Sequence, residues 1–153
     1  MIAVIQRVHS AIVYCDGNLK STINKGLYIL LGVKNTDTKK DAELLSAKIS
    51  KLRIFTDEND KMNLSVKDIF GEVMVVSNFT LLANYAHGNR PDYLNAALPA
   101  EASALYDYFI ELMEREVGVC ESGIFGSDMT SELLTDGPVT IVMDSEVLSG
   151  GKK

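Results

Sequence analysis

A chain of 153 residues, 46% hydrophobic and 24% charged, is long enough to bury one real core. Its net charge of −6 argues against broad, nonspecific binding to nucleic-acid backbone, while a local contact to the end of an RNA stays open. No apolar run approaches the roughly 18 residues of a membrane span, and the opening MIAVIQR lacks the features of a signal peptide, so a cytoplasmic protein is expected.

Ile2 to Val8 and Ala11 to Cys15 are rich in β-formers and read as two extended segments. A hairpin-type turn, Asp16-Gly17-Asn18, follows them. Gly26 to Val33 is a continuous apolar run of strand length, the pattern of a strand buried on both faces. Asn35 to Thr38 supply capping side chains, and Leu45, Ile49 and Leu52 recur at helical spacing, which predicts an amphipathic helix over 38–52. Thr56 to Lys61 is a polar turn, and Glu72 to Val76 a strand ending at Ser77.

Residues 83–99 contain two of the three prolines and form a long loop, a feature often functional in compact domains. Pro99 opens a second helix whose apolar face carries Leu105, Tyr108, Phe109, Leu112 and Met113, and Gly118 stops it. Near the end, LLTDGPVTIVMD (133–144) sets a turn at Asp136-Gly137-Pro138 before the β-rich run Val139 to Met143. Residues 149–153 read as a flexible tail behind a domain spanning 1–148. The fold class is α+β: one compact, strand-dominated domain with two main helices.

Cys15 and Cys120 form no C-x-x-C pair and are expected to be free thiols. His9 and His87 do not group with acidic residues at ligand spacing, so neither a metal nor a cofactor is expected. Lys48, Lys51 and Arg53 cluster in sequence, and Arg90 with Lys34, Lys39 and Lys40 forms a second set; solvated faces explain both. The stretch VVSNFTLLA (75–83) delivers Ser77, Asn78 and Thr80 to the end of a strand. Strict alternation places Asn78 and Thr80 on one face, and Ser77 with Phe79 on the other. A hydroxyl nucleophile needs a base or a lowered pKa, and no G-x-S-x-G elbow or Ser/His/Asp pattern surrounds these residues. Capping or packing explains them equally. Gly137-Pro138 is likewise either strand punctuation or a backbone device, since an X-Pro bond can be cis and sets two carbonyl acceptors with no N–H between them.

Taken together, MIAVIQRV, GLYILLGV, LRIF, VVSNFTL, GNRPDY, ALYDYF, GIFGSDM and DGPVTI occur in one order over residues 1–145. In that order they resemble the D-aminoacyl-tRNA deacylases, which hydrolyse D-amino acids wrongly esterified to tRNA. The family's signatures are Ser-Gln-Phe-Thr-Leu and a Gly-Pro-Val-Thr segment, matched here by Ser77 to Leu81 and Gly137 to Thr140. The resemblance implies barrel-like sheets, a homodimer, and D-aminoacyl-tRNA as the partner, recognised at its 3′-terminal aminoacyl-adenosine, with no membrane or metal.

It also implies a catalytic group of Ser77, Asn78, Phe79 and Thr80, with the Phe79 N–H facing the oxyanion. Thr80 is a nucleophile or a positioning hydroxyl, and nothing in the sequence offers it a base. Gly137, Pro138, Val139 and Met129 would contact substrate. A cis Gly-Pro unit would reach across the dimer to reject L side chains, with Arg7 orienting it; the residues alone allow a surface ion pair for Arg7. Glycyl-tRNA, with no side chain to exclude, would also be hydrolysed. Asn78 stands where the family usually has Gln, one methylene longer, and Asp136 is a milder departure. A noncatalytic RNA-end binder and a general Ser/Thr esterase are the alternatives.

Overall fold

The computed structural model describes residues 1–150. In chain order it comprises β1 (Ile2–Cys15), β2 (Asn18–Ile23), β3 (Gly26–Gly32), α1 (Lys39–Ser50), β4 (Phe55–Thr56), β5 (Met62–Leu64) and β6 (Glu72–Ser77). A single 3₁₀ turn (Phe79–Leu82), α2 (Pro99–Val117), β7 (Cys120–Ser122), β8 (Met129–Asp144) and α3 (Ser145–Leu148) complete it. The two main helices expected from sequence are α1 and α2; α3 is a single turn. The tail expected over 149–153 is described only as far as Gly150, and residues 151–153 lie outside the described residues.

The two expected N-terminal segments are one strand. β1 runs unbroken from Ile2 to Cys15 because both its edges are paired. On one side β8 pairs with it antiparallel along its length. On the other, β3 pairs with residues 2–8 and β2 with residues 11–15. The sheet continues from β3 to β6 and β7, both in parallel pairing, in the order β2-β1-β3-β6-β7. Parallel neighbours need long crossovers, and α1 and α2 lie within the segments that supply them.

The sheet curls until its two ends meet. Ser21 on β2 donates its hydroxyl to the Ser122 carbonyl on β7 at 2.8 Å. The result is a nearly closed, barrel-like sheet with two cores. Leu27, Ile29 and Leu31 of β3 pack with Leu45 and Ile49 of α1 and with Phe109 and Met113 of α2. The opposite face of β3 turns Tyr28 inward against Val8, Val13, Met74 and Val76. This double burial is why the run from Gly26 reads as uninterrupted apolar sequence.

Gly26 stands where β3 and β6 approach most closely. A Cβ placed on it would lie 1.7 Å from the Glu72 carbonyl oxygen, so only glycine fits there. Gly26→Ala is expected to cost about 3 kcal/mol or more through overpacking. The melting temperature measured by circular dichroism should fall by roughly 6–12 °C.

Candidate active site

β6 carries the chain to the site. Its pairing with β3 ends at Ser77 opposite Leu31, and Asn78 adds one further bond from its N–H to the Leu31 carbonyl at 2.8 Å. The chain then turns into the 3₁₀ helix, so the strict alternation expected for residues 77–80 does not hold. Asn78 causes the break. Its backbone is extended (φ −147°, ψ 92°) and its side-chain oxygen accepts the Thr80 N–H at 3.2 Å, an Asx cap on the turn. The same oxygen accepts the Thr80 hydroxyl proton. Gly32 lies underneath, and a Cβ there would sit 3.1 Å from both the Asn78 carbonyl oxygen and the Leu81 Cβ.

A cavity of about 640 Å³ opens beside this turn. Ser77, Asn78 and Phe79 form one wall, Tyr93 and the segment 96–99 leading into α2 a second, and residues 125–129 a third. Three aromatic rings face it. Phe79 and Tyr93 meet edge-to-face with centroids 5.0 Å apart and planes at 80°, and Phe125 is braced from behind by Tyr106 at 6.0 Å. The Tyr106 hydroxyl, buried, donates to the Val75 carbonyl at 2.8 Å and so ties α2 to the strand that ends in Ser77. Met129 fits the cavity because position 123 is glycine: a Cβ there would be 2.4 Å from the Met129 sulfur.

The chemistry open to this cavity is narrow. The Phe79 N–H makes no hydrogen bond among the described residues, whereas its neighbours at 78 and 80 are both engaged. No histidine lines the cavity, and no group of three or more metal-binding side chains forms among the described residues. Burial raises the Cys120 thiol to about 12, so it is protonated near neutrality. The site therefore offers one backbone donor, a hydroxyl already oriented, and apolar stacking surfaces.

Gly137 and Pro138 do not line the cavity. The turn expected at 136–138 lies inside β8, as a bulge. Val8 pairs with Thr135 and Gln6 with Thr140, so a step of two residues on β1 faces a step of five on β8. The surplus residues stand out from the sheet. Gly137 has φ +126°, the Gly137-Pro138 bond is cis, and both residues are exposed. Arg7, paired with Leu27, is four residues along β1 from Ala3, whose row leads through Leu31 to Ser77. That offset is about 13 Å along the strand direction.

Arg7 lies under the bulge with its side chain only 9% exposed. It donates to the Ile54 carbonyl at 2.6 Å and to the Asp136 carbonyl at 3.3 Å, and it pairs with the Asp136 carboxylate at 3.1 Å. A Cβ on Gly137 would come within 2.8 Å of the Val139 nitrogen and 3.3 Å of the Arg7 guanidinium. Val139 itself packs against the main core. Sequence reasoning passed over Asp136 as a minor departure, yet it is the carboxylate Arg7 grips. It also passed over Tyr93 and Phe125, although both sit inside the collinear stretches GNRPDY and GIFGSDM.

Residues 4–144 match the D-Tyr-tRNA(Tyr) deacylase family, and the chain belongs to it. A relative from Flavobacterium johnsoniae, a D-aminoacyl-tRNA deacylase, is 50% identical over 95% of this chain and 98% of its own. The solved structure of a c-Myc DNA Unwinding Element Binding Protein is 37% identical with a TM-score of 0.89, over 94% of this chain and 98% of that one. A probable eukaryotic D-amino acid tRNA deacylase shares the fold at 14% identity and a TM-score of 0.82, with the same coverage of 94% and 98%.

Removing Arg7 leaves the Ile54 and Asp136 acceptors without their buried donor. Arg7→Ala is expected to cost roughly 2–3 kcal/mol in urea denaturation. Arg7→Lys should recover less than half of that, because an ammonium cannot fork between two fixed acceptors.

Proposed function

We propose that this chain hydrolyses the ester of D-aminoacyl-tRNA, with the aminoacyl-adenosine seated in the cavity beside Phe79. The observation that carries this reading is the unpartnered Phe79 N–H at the mouth of an aromatic-lined cavity, in a chain whose relatives are D-aminoacyl-tRNA deacylases. Adenine is a flat apolar ring that stacks on aromatic side chains. The ester carbonyl then lies where the Phe79 N–H stabilises the charge that develops on its oxygen.

A water oxygen bonds to the carbonyl carbon, and its proton passes to the 2′-OH oxygen of the ribose, which relays a proton onward. The bond from that carbon to the 3′-oxygen breaks, and the leaving oxygen is protonated. The products are the free amino acid and tRNA. Thr80 acts as a positioning hydroxyl in this scheme. Its proton is held by Asn78, so it turns lone pairs toward the cavity and accepts from the substrate. Bound this way, the substrate is oriented for attack without a protein nucleophile.

Chirality belongs to the second subunit of a homodimer in this reading. An exposed cis Gly137-Pro138 unit, clamped by Arg7 and unused by its own chain's cavity, suits insertion into a partner's cavity. There its carbonyl oxygens accept from the substrate α-amino group, and rigid backbone against the Cα leaves no room for an L side chain. Exposed Leu134 and Val142 on β8, whose outer edge is unpaired, support burial of this face in a dimer. A tRNA substrate places the reaction in the cytoplasm, and no described helix is long and apolar enough to cross a membrane.

Deacylation of matched D- and L-tyrosyl-tRNA with glycyl-tRNA as a third substrate tests the reading. Rapid release from D, slower release from glycine and almost none from L is expected. Equal release from D and L sinks the Gly-Pro filter, and tight binding with no release makes the chain an RNA-end binder. Thr80→Val should lower kcat by about 10–100-fold, and no acyl-enzyme should be trapped by rapid quench and mass spectrometry. Sharing of sites between subunits has its own check. Mixing inactive Phe79→Pro and inactive Gly137→Val subunits should restore about a quarter of wild-type activity through heterodimers with one intact site.

A further inference from the structure

The loop from Asn84 to Asp92 has no role in the scheme above. It leaves the 3₁₀ turn directly and returns at Tyr93, so both ends are fixed at the cavity wall. Its base is closed by paired backbone bonds between Asn84 and Asp92, at 2.9 and 3.0 Å. Beyond that base every residue from Tyr85 to Pro91 is exposed, and Tyr85 presents its ring at 80% exposure. The segment contains no Asp or Glu between positions 84 and 91, in a chain of net charge −6. Asp92 is engaged locally, accepting from the Asn84 amide at 3.1 Å and the Leu94 N–H at 3.2 Å.

Arg90 distinguishes this loop from other charged surface. The chain has four arginines. Arg7 is clamped on Asp136, Arg53 donates to the Asn63 carbonyl at 2.9 Å, and Arg115 meets Glu111 at 3.7 Å. Arg90 alone has no hydrogen bond or ion pair among the described residues. The lysine that sequence grouped with it is differently engaged: Lys34 is held by Asp144 at 2.8 Å and Glu146 at 2.9 Å. An unpaired guanidinium beside an exposed aromatic ring is the combination that binds unpaired nucleotides, one meeting phosphate and the other stacking on a base.

We infer that the loop Asn84–Asp92 seats the unpaired nucleotides that precede the terminal adenosine of the RNA substrate, with Tyr85 as the stacking surface and Arg90 as the phosphate contact. The inference rests on the cavity holding that adenosine. With both ends fixed at the cavity, the tip extends at most about 13 Å beyond its base, which keeps it beside the strand leaving the cavity. The acidic remainder of the surface repels the rest of the duplex, so contact is confined to the RNA end.

The test compares full-length D-tyrosyl-tRNA with 3′-O-(D-tyrosyl)adenosine on wild type and on the double variant Tyr85→Ala/Arg90→Ala. The KM for tRNA should rise about tenfold, at least five times more than that for the adenosine ester. The salt dependence of tRNA binding should flatten by about one phosphate contact. Equal losses on both substrates, or no loss on tRNA, overturn the inference. Circular dichroism and Arg90→Glu, which should be worse than Arg90→Ala on tRNA only, separate charge from misfolding. Should wild type hydrolyse neither substrate, the deacylase reading fails by itself. Fluorescence anisotropy with a single-stranded RNA ending in CCA then decides the loop: weaker binding by the double variant supports it, and equal binding overturns it.

Discussion

β1 is the strand on which the rest depends. Both of its edges are occupied, by β8 along one side and by β3 and β2 in turn along the other. A strand paired on both sides over 14 residues fixes register for three partners at once. The β3 pairing sets where β6 ends, and so where Ser77 hands over to the 3₁₀ turn. The β8 pairing sets where surplus residues must leave the sheet, and so where Gly137 and Pro138 project. Two features on opposite parts of the chain are thereby placed by one hydrogen-bonded ribbon.

Each feature is then locked by a polar side chain that accepts or donates more than once. At the bulge it is Arg7, whose planar fork reaches two backbone carbonyls and a carboxylate from a nearly buried position. At the turn it is Asn78, whose single oxygen takes a backbone N–H and a hydroxyl. Buried or half-buried polar groups of this kind are costly when unpaired and specifying when fully paired. Neither lock would work with a merely similar residue. Lysine lacks the fork, and a longer amide would no longer sit two atoms from its own backbone.

Much of this was legible in advance where the information is local. The doubly buried β3 announced itself as an unbroken apolar run, α1 and α2 as spaced apolar faces with caps, and the Gly-Pro unit as a turn-forming pair before β-branched residues. The errors share a cause. Ile2 to Val8 and Ala11 to Cys15 looked like two segments because His9 and Ser10 interrupt the apolar pattern, and only the pairing with β8 carries the strand through them. Gly137-Pro138 looked like a turn because local chemistry cannot distinguish a turn from a bulge held open by a neighbouring strand. Arg7 and Asp136 are 129 positions apart, and Tyr93 and Phe125 meet a common cavity from different crossovers. Contacts at such separations leave no periodic trace. Asn78 is the exception, a local Asx cap hidden by assuming that the strand ran on past Ser77.

The hydrogen bond from the Thr80 hydroxyl to Asn78 has a consequence for the site's disorder as well as its polarity. A free threonine hydroxyl is a rotor with three staggered settings, and a ligand that needs one of them must freeze out the others. Here the setting is selected by a side chain two residues away, before any ligand arrives. The entropy of that rotor is removed during folding, when the rest of the turn is being ordered anyway, and binding begins with the oxygen already aimed.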